Sequence, residues 1–240
     1  MGGTFCVIPE DTFKDLQLDA GVLLNTFDPD NPVAPSDSHI ICATTGGINA
    51  TCTPTYSDFG DDVDNCPLNT KELKHLDSWE VGLSTTCLGA TPEMIKLALG
   101  AADQATADVY AASTDTSVVA GKSYYTRSGS SPNYTYSKVN SPTGNPSTSS
   151  YYEKVKIKGQ VTPRAKLNQT DFTDAIWWVG DRADGGMVAV KLLNALSTGG
   201  YSLQTSKNGK GTLALTITGH VSINAQDTVP MVFYTSEPAE

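Results

Sequence analysis

Residues 212–223 read TLALTITGHVSI, and their alternation decides the fold class. Leu213, Leu215, Ile217, Val221 and Ile223 fall on one side of a period-two pattern, with Thr212, Thr216, Thr218, His220 and Ser222 on the other. Such a pattern marks a strand with one face buried and the other wet. Just upstream lies SKNGKG (206–211), whose Asn208-Gly209 pair suits the positive φ of a tight turn, so 200–223 is predicted to form a hairpin. The same period recurs at 79–87, where Trp79, Val81, Leu83 and Cys87 oppose Glu80, Gly82, Ser84 and Thr86. At 154–161 it sets Val155, Ile157 and Val161 against Lys154, Lys156, Lys158 and Gln160. Residues 186–196 and 229–234 read as further strands, and Pro230 puts the latter at a sheet edge or delays its start.

One helix interrupts this pattern, over residues 91–100. Thr91 can cap it, Pro92 fits its first turn and Gly100 can end it, while Met94, Ile95, Leu97, Ala98 and Leu99 form an apolar face for packing on a sheet. A short helical turn is possible around 69–75. Residues 113–150 differ: they are rich in Ser, Thr, Tyr, Pro and Gly and poor in Leu, Ile and Phe, and read as a small β module inserted in a loop. The expected organisation is a main domain from 1–112 and 151–240, interrupted by that module.

The chain has 240 residues, 39% of them hydrophobic and 18% charged, which is too apolar for a disordered acidic polymer. No run approaches the apolar length of a membrane-spanning helix. The N-terminal MGGTFCVIPEDTF lacks a basic region followed by an apolar run, so an intracellular protein is expected. The formal charge of −10 is unevenly spread: residues 1–112 carry 17 acidic and 4 basic side chains, whereas 113–150 and 151–240 are slightly basic. That sign disfavours a grip on nucleic acid through its phosphates.

Five cysteines (Cys6, Cys42, Cys52, Cys66, Cys87) form no CxxC pair, and His39, His75 and His220 are scattered, so reduced structural thiols are expected rather than a zinc site. The Asp-rich stretch 58–65 (DFGDDVDN) lacks the glycine and distal glutamate of a calcium loop, and Asp58, Asp61, Asp62 and Asp64 read better as an exposed contact loop. Trp79, Trp177 and Trp178 are expected as core or interface aromatics. His220 has no nucleophile or carboxylate nearby in sequence, and no phosphate loop, dinucleotide fingerprint, HExxH or GxSxG occurs. Nothing here points to an enzyme, a cofactor or a metal.

Several runs, taken in order, carry a family resemblance: GVLL (21–24), ICATTGGI (41–48), DFGDDVDNCP (58–67), KELKHLDSWE (71–80), DAIWWVGD (174–181), LNALSTGG (193–200) and ITGH (217–220). Together they resemble the major tail, or tail tube, proteins of long non-contractile-tailed bacteriophages. The resemblance covers both flanks, while 113–150 looks like a Tyr-rich module found inserted in phage structural proteins. It implies a β-sandwich or barrel with one flanking helix, six copies joined in a ring, and rings stacked into a tube that conducts DNA without binding it specifically. It also implies partners at the tube's core and ends (tape measure, tail terminator and distal tail proteins) and a place in the virion tail after assembly in the host cytoplasm. The loop at 58–65 falls where such proteins reach the neighbouring ring, with residues 1–19 a second candidate arm. Lys154, Lys156, Lys158, Lys207 and Lys210 are candidate basic counterparts to the acidic loop. The alternatives are a carbohydrate-binding adhesin, suggested by Trp177-Trp178 and the Tyr-rich module, another ring protein of the tail tip, and a hydrolase whose triad assembles from distant positions.

Overall fold

The computed structural model describes residues 9, 12–14 and 16–237, with side chains for all of these except 106 and 156–158. Most of the 1–19 candidate arm therefore lies outside the described residues. In order, the elements are β1 (Gln17–Leu24), β2 (Ile40–Asp58), β3 (Lys74–Leu88), α1 (Pro92–Leu99), β4 (Ala102–Ala112), β5 (Tyr125–Ser130), β6 (Asn133–Lys138), β7 (Tyr151–Pro163), β8 (Thr173–Arg182), β9 (Met187–Ser197), β10 (Ser202–Gln204), β11 (Thr212–Thr218) and β12 (Met231–Ser236). The protein is mainly β, and it forms two compact units: residues 1–102 with 163–240, and residues 103–162. The second unit takes in β4 and β7 as well as the Tyr-rich stretch.

In the first unit the sheet order is β10-β11-β3-β2-β1-β8-β9-β12, and a further pairing of β11 with β9 closes six strands into a barrel. Closure turns the apolar faces into one interior. Leu23, Val81, Leu83, Ile176, Val190, Leu192, Leu213, Leu215 and Ile217 meet there, with Met94 and Ala98 of α1 in the same cluster. The helix starts and stops as its sequence dictates: the Met94 amide donates to the Thr91 hydroxyl at 3.3 Å, and Gly100 takes φ 70°. The Ser197 hydroxyl, 2.8 Å from the Ala98 carbonyl and 3.1 Å from that of Thr216, ties helix, β9 and β11 together.

A second apolar cluster lies on the other face of the sheet, built on Leu24, Trp177 and Ala189 with Phe27, Ile40 and Tyr234 around them. Phe27 meets Trp177 edge-on at 5.6 Å, so the 25–39 connection covers that ring. Adjacent Trp178 belongs to the interior, and its indole N–H donates at 3.0 Å to the carbonyl of Ala20, which an irregularity between Leu18 and Val22 in β1 leaves free. Strand alternation thus sends the two tryptophans to opposite faces, and both faces are covered.

Three sequence expectations are corrected. Leu213, Leu215 and Ile217 are buried as expected, but Val221 and Ile223 are 53% and 80% exposed, because β11 ends at Thr218. The next residue, Gly219, donates its amide to Val81 O, and a Cβ there would come within 3.0 Å of Leu192, Val81 and Pro230 atoms, so the chain turns away at this contact. Second, Cys42 and Cys87 form a disulfide where reduced thiols were expected. Residue spacing hides it, because β2–β3 register, with Thr44 opposite Cys87, brings together cysteines 45 residues apart. A cross-link of that span contributes about 2–4 kcal/mol. Third, Val155 is 55% exposed, since its sheet does not bury that position. The strand at 229–234 starts after Pro230 and forms a sheet edge, as its proline requires.

The second unit is a four-stranded sheet ordered β4-β7-β5-β6. Tyr124 and Pro146 are fully buried in it, and among the described residues no large aliphatic side chain of this unit is buried beside them. Polar bonds supply what apolar area does not. The Tyr124 hydroxyl donates to Asp115 at 2.6 Å and accepts from the Val119 amide, while Lys122 Nζ lies 2.7 Å from both Asp115 and Glu153. Ser113 donates to the other Glu153 oxygen. The bond from Lys122, and then that from Tyr124, holds the Asp115 carboxyl below its usual pKa; burial pushes the Tyr124 phenol up.

Two measurements check these assignments. In urea unfolding, Leu215→Ala is expected to cost about 2–5 kcal/mol, whereas Val221→Ala stays within about 0.5 kcal/mol; equal effects would place Val221 back in the core. A lowered native pKa means that Asp115 stabilises above about pH 4 and that this contribution is lost as pH falls through the lowered value. The near-UV tyrosine signal is accordingly expected to collapse on acidification, and less steeply in Asp115→Asn.

Candidate assembly surface

The strands β2 and β3 run longer than the barrel needs. Their register extends from Ala43–Leu88 to Asp58–Lys74, yet every residue of β3 from 74 to 80 is exposed. Beyond the Cys52–Val81 pair the two strands therefore leave the core as a two-stranded arm. Six residues of strand beyond that pair give it a reach of about 20 Å.

The alternation that fills the barrel continues along this arm. Val81 points inward; two residues earlier Trp79 lies on the same side, opposite Pro54, and the next pair on that side is Tyr56 with Leu76. Trp79 is 37% exposed, and Tyr56 and Leu76 are more so. The expectation of Trp79 as an aromatic contact residue thus falls on the surface: the pattern is that of a core strand, but the core has ended. The opposite face carries Thr53, Thr55, Ser78 and Glu80. At the base of the arm a groove of about 380 Å³ lies between Leu76, Trp79 and the 221–230 segment, with Val221, Val229 and Pro230 as apolar wall and Asp77 and Asp227 at its margin.

The tip, residues 59–73, is knotted by local bonds. Asp58 accepts from the Gly60 amide at 3.0 Å and lies 3.6 Å from Lys74 Nζ, which also donates to Asn69 Oδ1 at 2.8 Å. The Phe59 amide donates to Leu73 O, and Thr70 donates its hydroxyl to Pro67 O at 2.7 Å. Lys71–Leu73 form the short helical turn that the sequence allowed. The four candidate acids consequently separate: Asp58 is spent on the loop's own structure, while Asp61, Asp62 and Asp64 are exposed and have no ion pair among the described residues. Phe59, Val63 and Leu68 stand exposed beside them.

The candidate basic residues separate as well. Lys207 and Lys210 are exposed in the β10–β11 turn, where Asn208 adopts φ 62°. Lys154 is engaged within the second unit by Asp108 at 2.6 Å, a bond that raises its pKa. The side chains of Lys156 and Lys158 lie outside the described residues. Sequence reasoning missed Tyr56 and Leu76. Tyr56 was visible as the continuation of alternation from Pro54, whereas Leu76 was hidden by the extra residue, Asp77, that β3 carries between the pairs Thr55–Ser78 and Tyr56–Leu76.

No protein-family profile matches this chain, and no curated protein matches it.

The geometry of the tip makes one prediction. Asp58→Ala removes the acceptor of the Gly60 amide and one partner of Lys74, at a local cost of about 1 kcal/mol. Hydrogen exchange at Gly60 and through 61–70 is expected to quicken by about fivefold while exchange in the barrel stays unchanged; uniform quickening would mean that the loop and barrel open together.

Proposed function

We propose that this chain is the subunit of a phage tail tube, a structural protein that assembles with copies of itself into stacked six-membered rings. The observation that carries the proposal is the arm: a core-type strand pair that runs past its own core and exposes Tyr56, Leu76 and Trp79 on one side, with Asp61, Asp62 and Asp64 at its tip. A two-stranded ribbon is marginal alone in water, and a row of exposed large apolar residues on it marks a surface that meets a partner. The ordered sequence resemblance, the closed barrel and its packed helix support the same reading.

The partner of the arm is a second copy of this chain in the next ring. Stacking requires two unlike faces. The first unit carries 22 acidic and 10 basic side chains, so a tip of like charge needs basic or apolar ground to land on. Lys207 and Lys210 offer the former, and the groove beside Trp79 offers apolar surface. A net of −12 in the unit that would line the tube repels phosphate, so DNA passes without sticking. The tape measure, terminator and distal tail proteins are the further partners this role needs, in the virion tail. Assembly belongs to the host cytoplasm. The role requires no catalysis.

Electron microscopy of the purified protein tests this reading. Sixfold rings or filaments with a central hole are expected at high protein concentration, and dispersed monomers under every condition would overturn it. Asp61→Lys with Asp62→Lys, and separately Trp79→Ala, are expected to raise the concentration needed for filaments about tenfold or more. If both variants assemble like the parent, the arm is not the contact.

A further inference from the structure

The second unit presents an aromatic face on the side away from its buried polar bonds. In the β5–β6 register Tyr125 opposes Lys138, Arg127 opposes Tyr136 and Gly129 opposes Tyr134, and Tyr125 also opposes Tyr152 of β7. Alternation therefore puts Tyr125, Arg127, Tyr134, Tyr136 and Tyr152 on one face, away from the face shared by Tyr124 and Tyr151 where the buried polar bonds lie. Tyr110 of β4 joins them, stacked on Tyr136 at 4.1 Å and edge-on to Tyr125 at 4.8 Å. Tyr136 in turn meets Tyr152 edge-on at 5.4 Å.

Arg127 sits within this array with its guanidinium 4.3 Å from the Tyr134 ring centre and 4.7 Å from that of Tyr152. No carboxylate pairs with it among the described residues, although Asp108 lies on the same array, where it binds Lys154. Rings on either side restrict a guanidinium's rotamers and leave its N–H edge as the open donor group. Lys138, exposed on the same face, also has no ion pair among the described residues. The hydroxyls of Tyr125, Tyr134, Tyr136 and Tyr152 likewise have no hydrogen-bond partner among the described residues, whereas those of Tyr110 and Tyr124 do. The unit carries six basic and four acidic side chains, a net of +2 in a chain of −10.

We propose that this face binds an acidic polysaccharide, with Arg127 taking a sugar carboxylate and the tyrosines taking the ring faces and hydroxyls. The chemistry of the face selects that ligand. Rings with unpartnered phenols suit a chain of hydroxylated apolar rings, and a held guanidinium matches a carboxylate's two oxygens. Single-stranded nucleic acid also stacks on aromatic residues, but it is held by a groove of cations that tracks the backbone rather than by one guanidinium placed to pair with a carboxylate. Among the described residues the cations on this face without an ion pair are Arg127 and Lys138. The proposal rests on the second unit alone and does not depend on the tube reading.

The test is affinity electrophoresis of the full chain through gels containing polygalacturonate, uncharged dextran or no polymer, with competition by a 20-residue oligothymidylate. Retardation by polygalacturonate is expected, weakened at least tenfold in Arg127→Gln and in Tyr134→Ala and retained in Ser128→Ala on the other face. The near-UV tyrosine signal of each variant checks that the unit remains folded. Equal retardation by dextran, full displacement by an equal mass of oligothymidylate, no retardation in any gel, or an unchanged Arg127→Gln would each overturn the proposal.

Discussion

The ring of backbone hydrogen bonds in the first unit closes through two residue pairs, Ile217 with Ser197 and Thr218 with Leu196. Without them β11 and β9 would each end in an open edge, and the apolar faces of six strands would have no common interior. Much of the architecture follows from this short seam. Ala195 and Ser197 keep the β9 side small; Ser197 then binds α1 through the Ala98 carbonyl, and Gly219 lets the chain leave against Val81 and Leu192. Because β9 spends its other residues on β12, the partners of its one side are divided between the seam and a free edge strand.

What the sequence revealed and what it hid divide along a physical line. The helix at 91–100 was legible because its caps and its apolar face are local. So was the inward set Leu213, Leu215 and Ile217, since period two needs no knowledge of the partner. The pattern carried no information on where the core stops. Val221 and Ile223 continue the alternation in letters, but a close contact at Gly219 ends the strand, and Trp79 keeps the inward phase after the barrel has run out. Partners distant in sequence were equally invisible: Cys42 with Cys87, and Lys154 with Asp108. Within the candidate surface, the acidic loop was readable as a cluster, but the separation of Asp58 from its neighbours depends on Gly60 and Lys74.

The two units solve stability in different ways. The barrel buries leucine, isoleucine and valine in quantity and, among the described residues, uses one disulfide. The 103–162 unit has few such residues to bury. It holds one face with the Tyr124, Asp115, Lys122 and Glu153 network and clothes the other with tyrosine and arginine. Small domains with thin cores commonly need such extra ties. Charge divides in the same place, with the acidity of the chain residing in the barrel unit and the excess of lysine and arginine in the other.

The Arg164 amide donates to the Ala101 carbonyl at 2.9 Å, at the point where the chain leaves the barrel unit and where it returns. The two ends of the excursion are thus one hydrogen bond apart, and the barrel's connectivity is complete on either side of them. A polypeptide whose termini lie close together could be spliced there in place of residues 103–162 without lengthening any barrel strand. The position is a natural graft point: it makes the barrel a carrier whose passenger can be exchanged.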